Sequence, residues 1–212
     1  MKQYKFSVEE TKRLTKSMIV LVDSREKKNS HILDYFRKQK IAYQVEKLEY
    51  GDYSFMIPAA AAGEDIYFHR DCVVERKASL EELSGNLTGE RERFEKEFLK
   101  AGNDGCKVYL MIEAPGGYSD IIGHKYRTEF TPAAYMASLK TFEHRFDANI
   151  QFISPEYASY YIPQPTAAIK PKSKKNHPIR RCTCYNAHIR YLVPNPSGTK
   201  FPYKHSYERM IL

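Results

Sequence analysis

Two strand segments, an apolar run at 18–22 and a second with an apolar centre at 107–113, limit the folds that this chain can adopt. The run at 18–22 is apolar throughout, which indicates a β-strand that loses contact with water on both faces, and 107–113 is the clearest strand in the chain. Strands of this kind belong to sheets covered by helices, and stretches with helical periodicity separate them along the chain. The sequence therefore predicts an α/β domain over about 18–162.

The other elements follow from periodicity and turn residues. Asn29 and Ser30 begin a predicted helix over 31–40, and Thr131 with Pro132 begins another, which has one continuous apolar face. We also expect strands at 42–48, 52–57, 66–76 and 150–153, a turn at 59–65, helices over 79–101 and 155–161, and a loosely ordered lead-in over 1–17. The two strands on either side of the turn should form a long hairpin.

The composition excludes two large classes of protein. Apolar residues make up 42% of the chain and charged residues 28%, as in folded globular domains rather than in disordered ones. No stretch approaches about 18 consecutive apolar residues, and the first residues are polar, so we expect neither a membrane span nor a signal peptide. Four cysteines without such a leader predict reduced thiols and a cytoplasmic location, with Cys72 and Cys106 as ordinary core residues.

The positive charge of the chain is concentrated at its C-terminal end. Of the net charge of +8, residues 1–163 contribute −1, from 24 Lys and Arg against 25 Asp and Glu. Residues 164–212 contribute +9, from ten Lys and Arg against Glu208 alone. A near-neutral body with a basic tail is common among proteins that bind polyanions, and nucleic acid is the first candidate. The alternative is a tail that keeps the protein soluble or packs on an acidic face.

The composition changes at Pro163, which predicts a basic, weakly structured tail over 163–212, rich in Pro and Tyr. Cations and aromatic rings alternate there, a pattern typical of single-stranded or branched DNA binding, although an extension that wraps around the domain remains open. The predicted DNA contacts are Lys174, Lys175, Arg180, Arg181 and Arg190. The spacing of the tail's histidines and cysteines does not match that of zinc sites, so we expect no zinc there.

Charged residues stand at three strand ends, where strands of this kind favour apolar ones. They are Asp23 with Arg25, then Asp52, then the run Glu75, Arg76 and Lys77. Because alternate residues of a strand share a face, Glu75 and Lys77 should point the same way, roughly 6.6 Å apart, and Arg76 the other way. If the two later strands pair as a hairpin, the carboxylate of Asp52 can meet that of Glu75.

Two carboxylates on adjacent strands, with a lysine two residues on, suit the hydrolysis of phosphodiester bonds. The carboxylates would hold Mg²⁺ or Mn²⁺, a cation that polarises the phosphoryl group and lowers the pKa of a bound water. Lys77 would orient the attacking water and stabilise the transition state. Asp23 is a candidate third acid, as a metal ligand or as an anchor. Arg25 could hold the phosphate, or pair with Glu26 or Glu75. Taken singly, a Gly-Asp before a strand is usually a turn, and a Glu-Arg-Lys is usually a solvated strand end or the entry to a helix.

Taken together, the fragments resemble the nuclease domain of the XPF/Hef family, within the PD-(D/E)xK, restriction-endonuclease-like superfamily. The family signature is Gly-Asp, a variable gap, Glu-Arg-Lys, three residues and Asp. Here Gly51-Asp52 and Glu75-Arg76-Lys77 match it, and Glu81 replaces the last acid. The resemblance covers roughly 18–160 and implies a restriction-endonuclease-like central mixed sheet flanked by helices. It also implies that Asp23, Asp52 and Glu75 bind metal, that Lys77 completes the catalytic site, and that Arg25 and Arg76 support it.

The chain departs from the family in what surrounds the domain. Relatives often carry a tandem helix-hairpin-helix module or a helicase, and neither fits the sequence on either side of 18–162. The small size indicates a stand-alone prokaryotic or phage form, in the cytoplasm and on the nucleoid, and a homodimer remains open. We predict a metal-dependent DNA endonuclease of repair or recombination, with branched, flap or forked DNA as candidate substrates. The alternatives are a non-catalytic DNA-binding scaffold of the same fold, and a resolvase or restriction-type nuclease.

Overall fold

A central mixed sheet organises residues 7–162, the part of the chain that the computed structural model describes. Its strands are β1 (Ile19–Asp23), β2 (Tyr43–Glu46), β3 (Tyr53–Ile57), β4 (Ile66–Tyr67), β5 (Cys72–Lys77), β6 (Lys107–Glu113) and β7 (Asn149–Ile153). The order across the sheet is β2-β1-β3-β5-β6-β7, and β4 pairs with β3. β3 runs antiparallel to its neighbours β1 and β5, while β1–β2, β5–β6 and β6–β7 are parallel pairs. The predicted α/β class is confirmed.

Helices cover both faces of this sheet. They are α1 (Val8–Lys16), α2 (Ser30–Lys38), α3 (Ala59–Ala62), α4 (Leu80–Leu87), α5 (Arg91–Asn103), α6 (Gly117–Ile122), α7 (Pro132–Phe146) and α8 (Pro155–Tyr161). On one face Phe94 of α5 and Phe142 of α7 join residues of β5 and β6 in an apolar cluster. On the other face Phe36 of α2 joins residues of β1 and β3. None of the helices within residues 7–162 is long and apolar enough to cross a bilayer.

Both segments are strands that are buried on both faces, as predicted for 18–22. In β6, Leu110 belongs to the cluster on the α5 side and Tyr109 to the cluster on the α2 side, and both are almost inaccessible to water. In β1, Val20 and Val22 face α2, whereas Leu21 belongs to a small cluster on the opposite side. Because both faces are covered, only the ends of these strands are free to carry polar side chains.

The predicted loose lead-in is wrong over its described part, which forms α1. The Ser7 hydroxyl accepts a hydrogen bond from the Glu10 N–H at 3.1 Å, and the Glu10 carboxylate accepts one from the Ser7 N–H at 2.7 Å. This reciprocal capping box starts the helix. On its buried side Leu14 packs against Ile57 and Ile66. The Ser-x-x-Glu start signal and the packing of Leu14 therefore support a helix despite the polar composition of the segment.

Several element boundaries also differ from the prediction. The strand expected over 66–76 is two strands, β4 and β5, and α3 fills the expected turn, so no long continuous hairpin forms. The antiparallel pairing that a hairpin implies is present, because Tyr53 of β3 pairs with Val74 of β5. The helix expected over 79–101 is divided into α4 and α5 at Thr88, whose backbone leaves the helical region. α6 was not predicted, since it starts at two glycines and has no side-chain cap.

The predicted core cysteines are confirmed, because the side chains of Cys72 and Cys106 are both buried. The tail over 163–212 lies outside the described residues. The predictions that fall there are the weakly structured basic extension, the absence of zinc, and the DNA contacts Lys174, Lys175, Arg180, Arg181 and Arg190.

Candidate active site

Polar side chains gather at one end of the sheet. The parallel strands β1, β5 and β6 finish there, at Asp23, Lys77 and Glu113, and the antiparallel β3 begins there, one residue after Asp52. Because parallel strands end at the same edge of a sheet, residues far apart in the sequence come together at this edge. The topology therefore brings the three predicted fragments to one place.

Asp52 is fixed by hydrogen bonds to both neighbouring strands. Its N–H donates to the carbonyl of Val74 at 2.8 Å, and its carbonyl accepts from the N–H of Asp23 at 2.7 Å. Its carboxylate Oδ2 accepts from the N–H of Arg76, also at 2.7 Å. The predicted placement of Asp52 beside the strand that carries Glu75 is confirmed.

Lys77 lies against Glu75 in a nearly closed environment. Its Nζ is 2.8 Å from Glu75 Oε1, and its side chain is only 8% exposed. The ammonium also lies 4.8 Å from the ring centroid of Phe94 on α5. Burial alone would lower the pKa of Lys77, but the charge of Glu75 and the hydrogen bond to it outweigh burial and raise the pKa. The predicted shared face of Glu75 and Lys77 is confirmed, and the lysine carries its charge at neutral pH.

Burial and the charge of Glu75 oppose ionisation of the Asp52 carboxyl. Removal from water raises the pKa of Asp52 well above its usual range, and the charge of Glu75 raises it further. Hard oxygen donors that crowd together in this way suit a divalent cation such as Mg²⁺ or Mn²⁺, whose charge would offset their repulsion. The donor set therefore fits the metal that the sequence predicts, and these two side chains would be its ligands.

Asp23 is engaged by Arg25. Its Oδ1 accepts from the Arg25 N–H and Nε at 2.7 and 2.9 Å, and its Oδ2 accepts from Arg25 Nη2 at 2.7 Å and from the Leu48 N–H at 3.0 Å. Burial alone would raise the pKa of Asp23, but these hydrogen bonds lower it overall. Among residues 7–162, no three His, Cys, Asp or Glu side chains form a group that could hold a metal ion. The structure thus shows Asp23 as an anchor, and its role as a metal ligand stays a prediction.

Arg25 is held rigidly and remains accessible. Besides its bonds to Asp23, its Nη2 donates to the carbonyl of Leu48 at 3.0 Å, yet 60% of the side chain is exposed. The predicted alternative pairing of Arg25 with Glu26 or Glu75 is wrong, because its Nε and Nη2 both donate to the carboxylate of Asp23. An exposed guanidinium with a fixed orientation is suited to binding a phosphate group.

Arg76 points to the opposite face of the sheet, as alternation predicts. Its Nε and Nη2 donate to the two carboxylate oxygens of Glu113 at 2.7 and 2.9 Å, and both side chains are almost fully buried. Glu26 Oε1 lies 3.8 Å from Arg76 Nη1, and His31 Nε2 lies 3.2 Å from Glu113 Oε1. The pair ties the end of β5 to the end of β6, so Arg76 supports the site from behind.

Two acids near the carboxylate pair were not predicted as site residues. Glu26, just after β1, raises the pKa of Asp52 through its charge. The pKa of Glu97 on α5 is raised, first by burial of its carboxyl and then by the charge of Glu75. Glu26 could have been found, because it follows a buried strand within the same fragment as Asp23. Glu97 could not, because it stands among alternating charges that indicate a solvated helix.

A mixed sheet with Gly-Asp at the start of one strand and Glu-Arg-Lys at the end of the next defines the class of XPF-type nuclease domains. The family model of the ERCC4 domain matches residues 22–162, more than half of the chain. The chain therefore belongs to the ERCC4 domain family, and the predicted resemblance is confirmed.

A solved structure agrees with this fold. XPF from Aeropyrum pernix is 17% identical, with a TM-score of 0.50, over 68% of this chain and 61% of that one. The same protein in complex with DNA is 17% identical, with a TM-score of 0.49, over 68% of this chain and 60% of that one. The chain thus spans about three fifths of the structures it matches. No curated protein sequence matches it. At this identity the likeness shows the fold alone.

Proposed function

We propose that the chain is a divalent-metal-dependent endonuclease that hydrolyses phosphodiester bonds in DNA. The observation that carries the proposal is the constellation at the start of β3 and the end of β5. At the start of β3 the Asp52 carboxylate is fixed by the Arg76 N–H, and at the end of β5 the Lys77 ammonium lies 2.8 Å from the Glu75 carboxylate. Membership of the ERCC4 domain family supports the same reaction.

Each side chain of the site has a part in this proposal. Asp52 and Glu75 would hold Mg²⁺ or Mn²⁺, which when bound supplies Lewis acidity and a water of lowered pKa. Lys77 would place a fixed positive charge beside the reacting phosphate, where negative charge increases in the transition state. Arg25, anchored by Asp23, would grip a phosphate oxygen at the rim of the site.

The substrate and the setting are further parts of the proposal. Branched, flap or forked DNA, a role in repair or recombination, and a homodimer are expectations from the family resemblance. The basic tail would add attraction to the DNA backbone, because the acids at the end of the sheet repel phosphate. A non-catalytic scaffold of the same fold would bind DNA without cutting it.

The test is a cleavage panel of single-stranded, duplex, flap, fork and four-way DNA with Mg²⁺ or Mn²⁺. We expect EDTA-sensitive cleavage that falls by about 100-fold or more in Asp52→Asn and Glu75→Gln, with DNA binding largely retained. Asp34→Asn, an exposed acid of α2, is the control and should cleave normally. DNA binding without cleavage by the unmodified protein would establish the scaffold instead, and undiminished cleavage by the double variant would refute the site.

A further inference from the structure

The Lys77 ammonium has a second carboxylate partner besides Glu75. Glu82 Oε1 on α4 lies 3.9 Å from Lys77 Nζ, and the Phe94 ring forms the apolar wall of the same enclosure. The lysine side chain is 8% exposed and that of Glu82 is 42% exposed, so the lysine is held from its solvent side by Glu82. Its position therefore depends on two acids and one ring.

The acid at the family's motif position is not one of them. Glu81, four residues after the lysine, directs its Oε1 to the backbone N–H of Arg127 at 3.1 Å. Hydrogen bonds from its own N–H, from Ser79 and from Arg127 lower the pKa of Glu81 despite some burial. Successive residues of an α-helix point about 100° apart, so Glu81 and Glu82 contact different parts of the protein. Glu81 therefore holds the loop after α6, while Glu82 faces the lysine.

We propose that Glu82, and not Glu81, is the acid that positions Lys77 for the reaction. The inference rests on the proposed function and assigns a further residue to the same site. Glu75 has two tasks there, since it would bind the cation and also pairs with the lysine. Glu82 has no other cation within 4 Å among the described residues. When Glu75 binds the cation, Glu82 stays as the ion-pair partner that keeps Lys77 Nζ at the carboxylate pair.

A structural role of Glu82 can be separated from this positioning role. Its Oε2 accepts from the Ala78 N–H at 3.1 Å, and its own N–H donates to the Ser79 hydroxyl at 3.2 Å, which caps the start of α4. Glutamine keeps an oxygen that accepts the Ala78 N–H, and it removes only the charge. Glu82→Gln should therefore fold normally and lose the ion pair. Glu81→Gln is a matched control, one residue away on the same helix.

The first measurement is single-turnover cleavage of a DNA substrate by both variants. We expect the rate constant of Glu82→Gln to fall about tenfold with DNA affinity unchanged, and that of Glu81→Gln to stay within about twofold. A loss of DNA affinity at an unchanged rate constant would contradict the proposal, because positioning of Lys77 should act on the chemical step. A lower rate constant in Glu81→Gln alone would contradict the proposal and show that Glu81 positions the lysine.

The second measurement needs neither DNA nor metal. In a double-mutant cycle of urea unfolding, Lys77→Met and Glu82→Gln should couple by about threefold or more in the unfolding equilibrium constant. Lys77→Met and Glu81→Gln should be additive. Additivity for Glu82 overturns the inference whatever the enzyme does. If the unmodified protein cleaves no DNA, the proposed function fails, and the cycle still decides whether Glu82 holds the lysine.

Discussion

Arg76 contacts Asp52 through its backbone and Glu113 through its side chain, on opposite faces of the sheet. Its backbone N–H holds the Asp52 carboxylate on one side, and its guanidinium pairs with Glu113 on the other. A buried ion pair of this kind contributes little net stability, but removing one partner leaves a buried charge and costs about 3–5 kcal/mol. Arg76 and Glu113 are therefore best understood as fixing the register of β5 against β6, so that Glu75 and Lys77 lie where the site requires them.

The Asp52 carboxyl makes stability depend on pH in the metal-free protein. Because its pKa is raised above the ordinary value of 3.8, the folded state keeps a proton that the unfolded state has lost, and stability falls as pH rises above about 4. We expect Asp52→Asn to unfold at a higher temperature than the unmodified protein at pH 8 in EDTA, and the difference to shrink toward pH 4. Calorimetry at several pH values measures this. A lower midpoint for the variant at pH 8 would contradict the raised pKa.

Gly51 allows the backbone before Asp52 to approach β5. Its φ is +66°, and an added Cβ would lie 2.7 Å from the Cβ of Val73. Gly51→Ala should therefore cost about 2–4 kcal/mol of unfolding free energy, since backbone strain and a clash add together. Gly63→Ala is the control, because its φ is +85° but no atom lies within 4 Å of the added Cβ. Its cost should be only about 1 kcal/mol. Equal losses in urea unfolding would show that the clash is absent.

Among the elements, the buried strands and the pairing of β3 with β5 could be predicted, whereas the finer element boundaries could not. The apolar runs of β1 and β6 leave no other interpretation, and the charged ends at Asp23, Asp52 and Lys77 mark the site. The division of 66–76 into β4 and β5 depends on pairing with β3, which is a long-range property. The acid near Lys77 also depends on a long-range property. Motif spacing in the sequence points to Glu81, but the packing of α4 against β5 places Glu82 beside the lysine.

α1 packs on the sheet domain through Leu14. Leu14 is 1% exposed and packs with Ile57 and Ile66, while most other side chains of the helix are polar. Leu14→Ala should lower the unfolding free energy by about 2–4 kcal/mol, because it removes buried apolar volume. Lys12→Ala, an exposed position on the same helix, should change it by less than about 0.5 kcal/mol. Urea unfolding separates the two, and a neutral Leu14→Ala would mean that α1 does not pack on the sheet.

At the scale of the molecule, charge is divided between the described domain and the tail. Residues 7–162 carry 22 Lys and Arg against 25 Asp and Glu, and residues 164–212 carry ten against one. Several of the domain's acids lie at the proposed site, where they would bind a cation but repel a polyanion. The proposed reaction therefore needs a source of attraction other than the net charge of the domain.

The tail cations should supply that attraction, and salt dependence measures it. Each cation that neutralises a duplex phosphate contributes about −0.9 to the slope of log K against log salt. Arg180, Arg181 and Arg190 replaced together by Gln should therefore flatten the slope by up to about 2.7. The matched control replaces Lys12, Lys16 and Lys38, three exposed lysines of α1 and α2, and should leave the slope nearly unchanged. Fluorescence anisotropy from 50 to 300 mM salt, roughly the range over which such contacts weaken, distinguishes the two variants. Equal slopes in both would show that the tail does not contact the DNA backbone and would favour its packing on the domain.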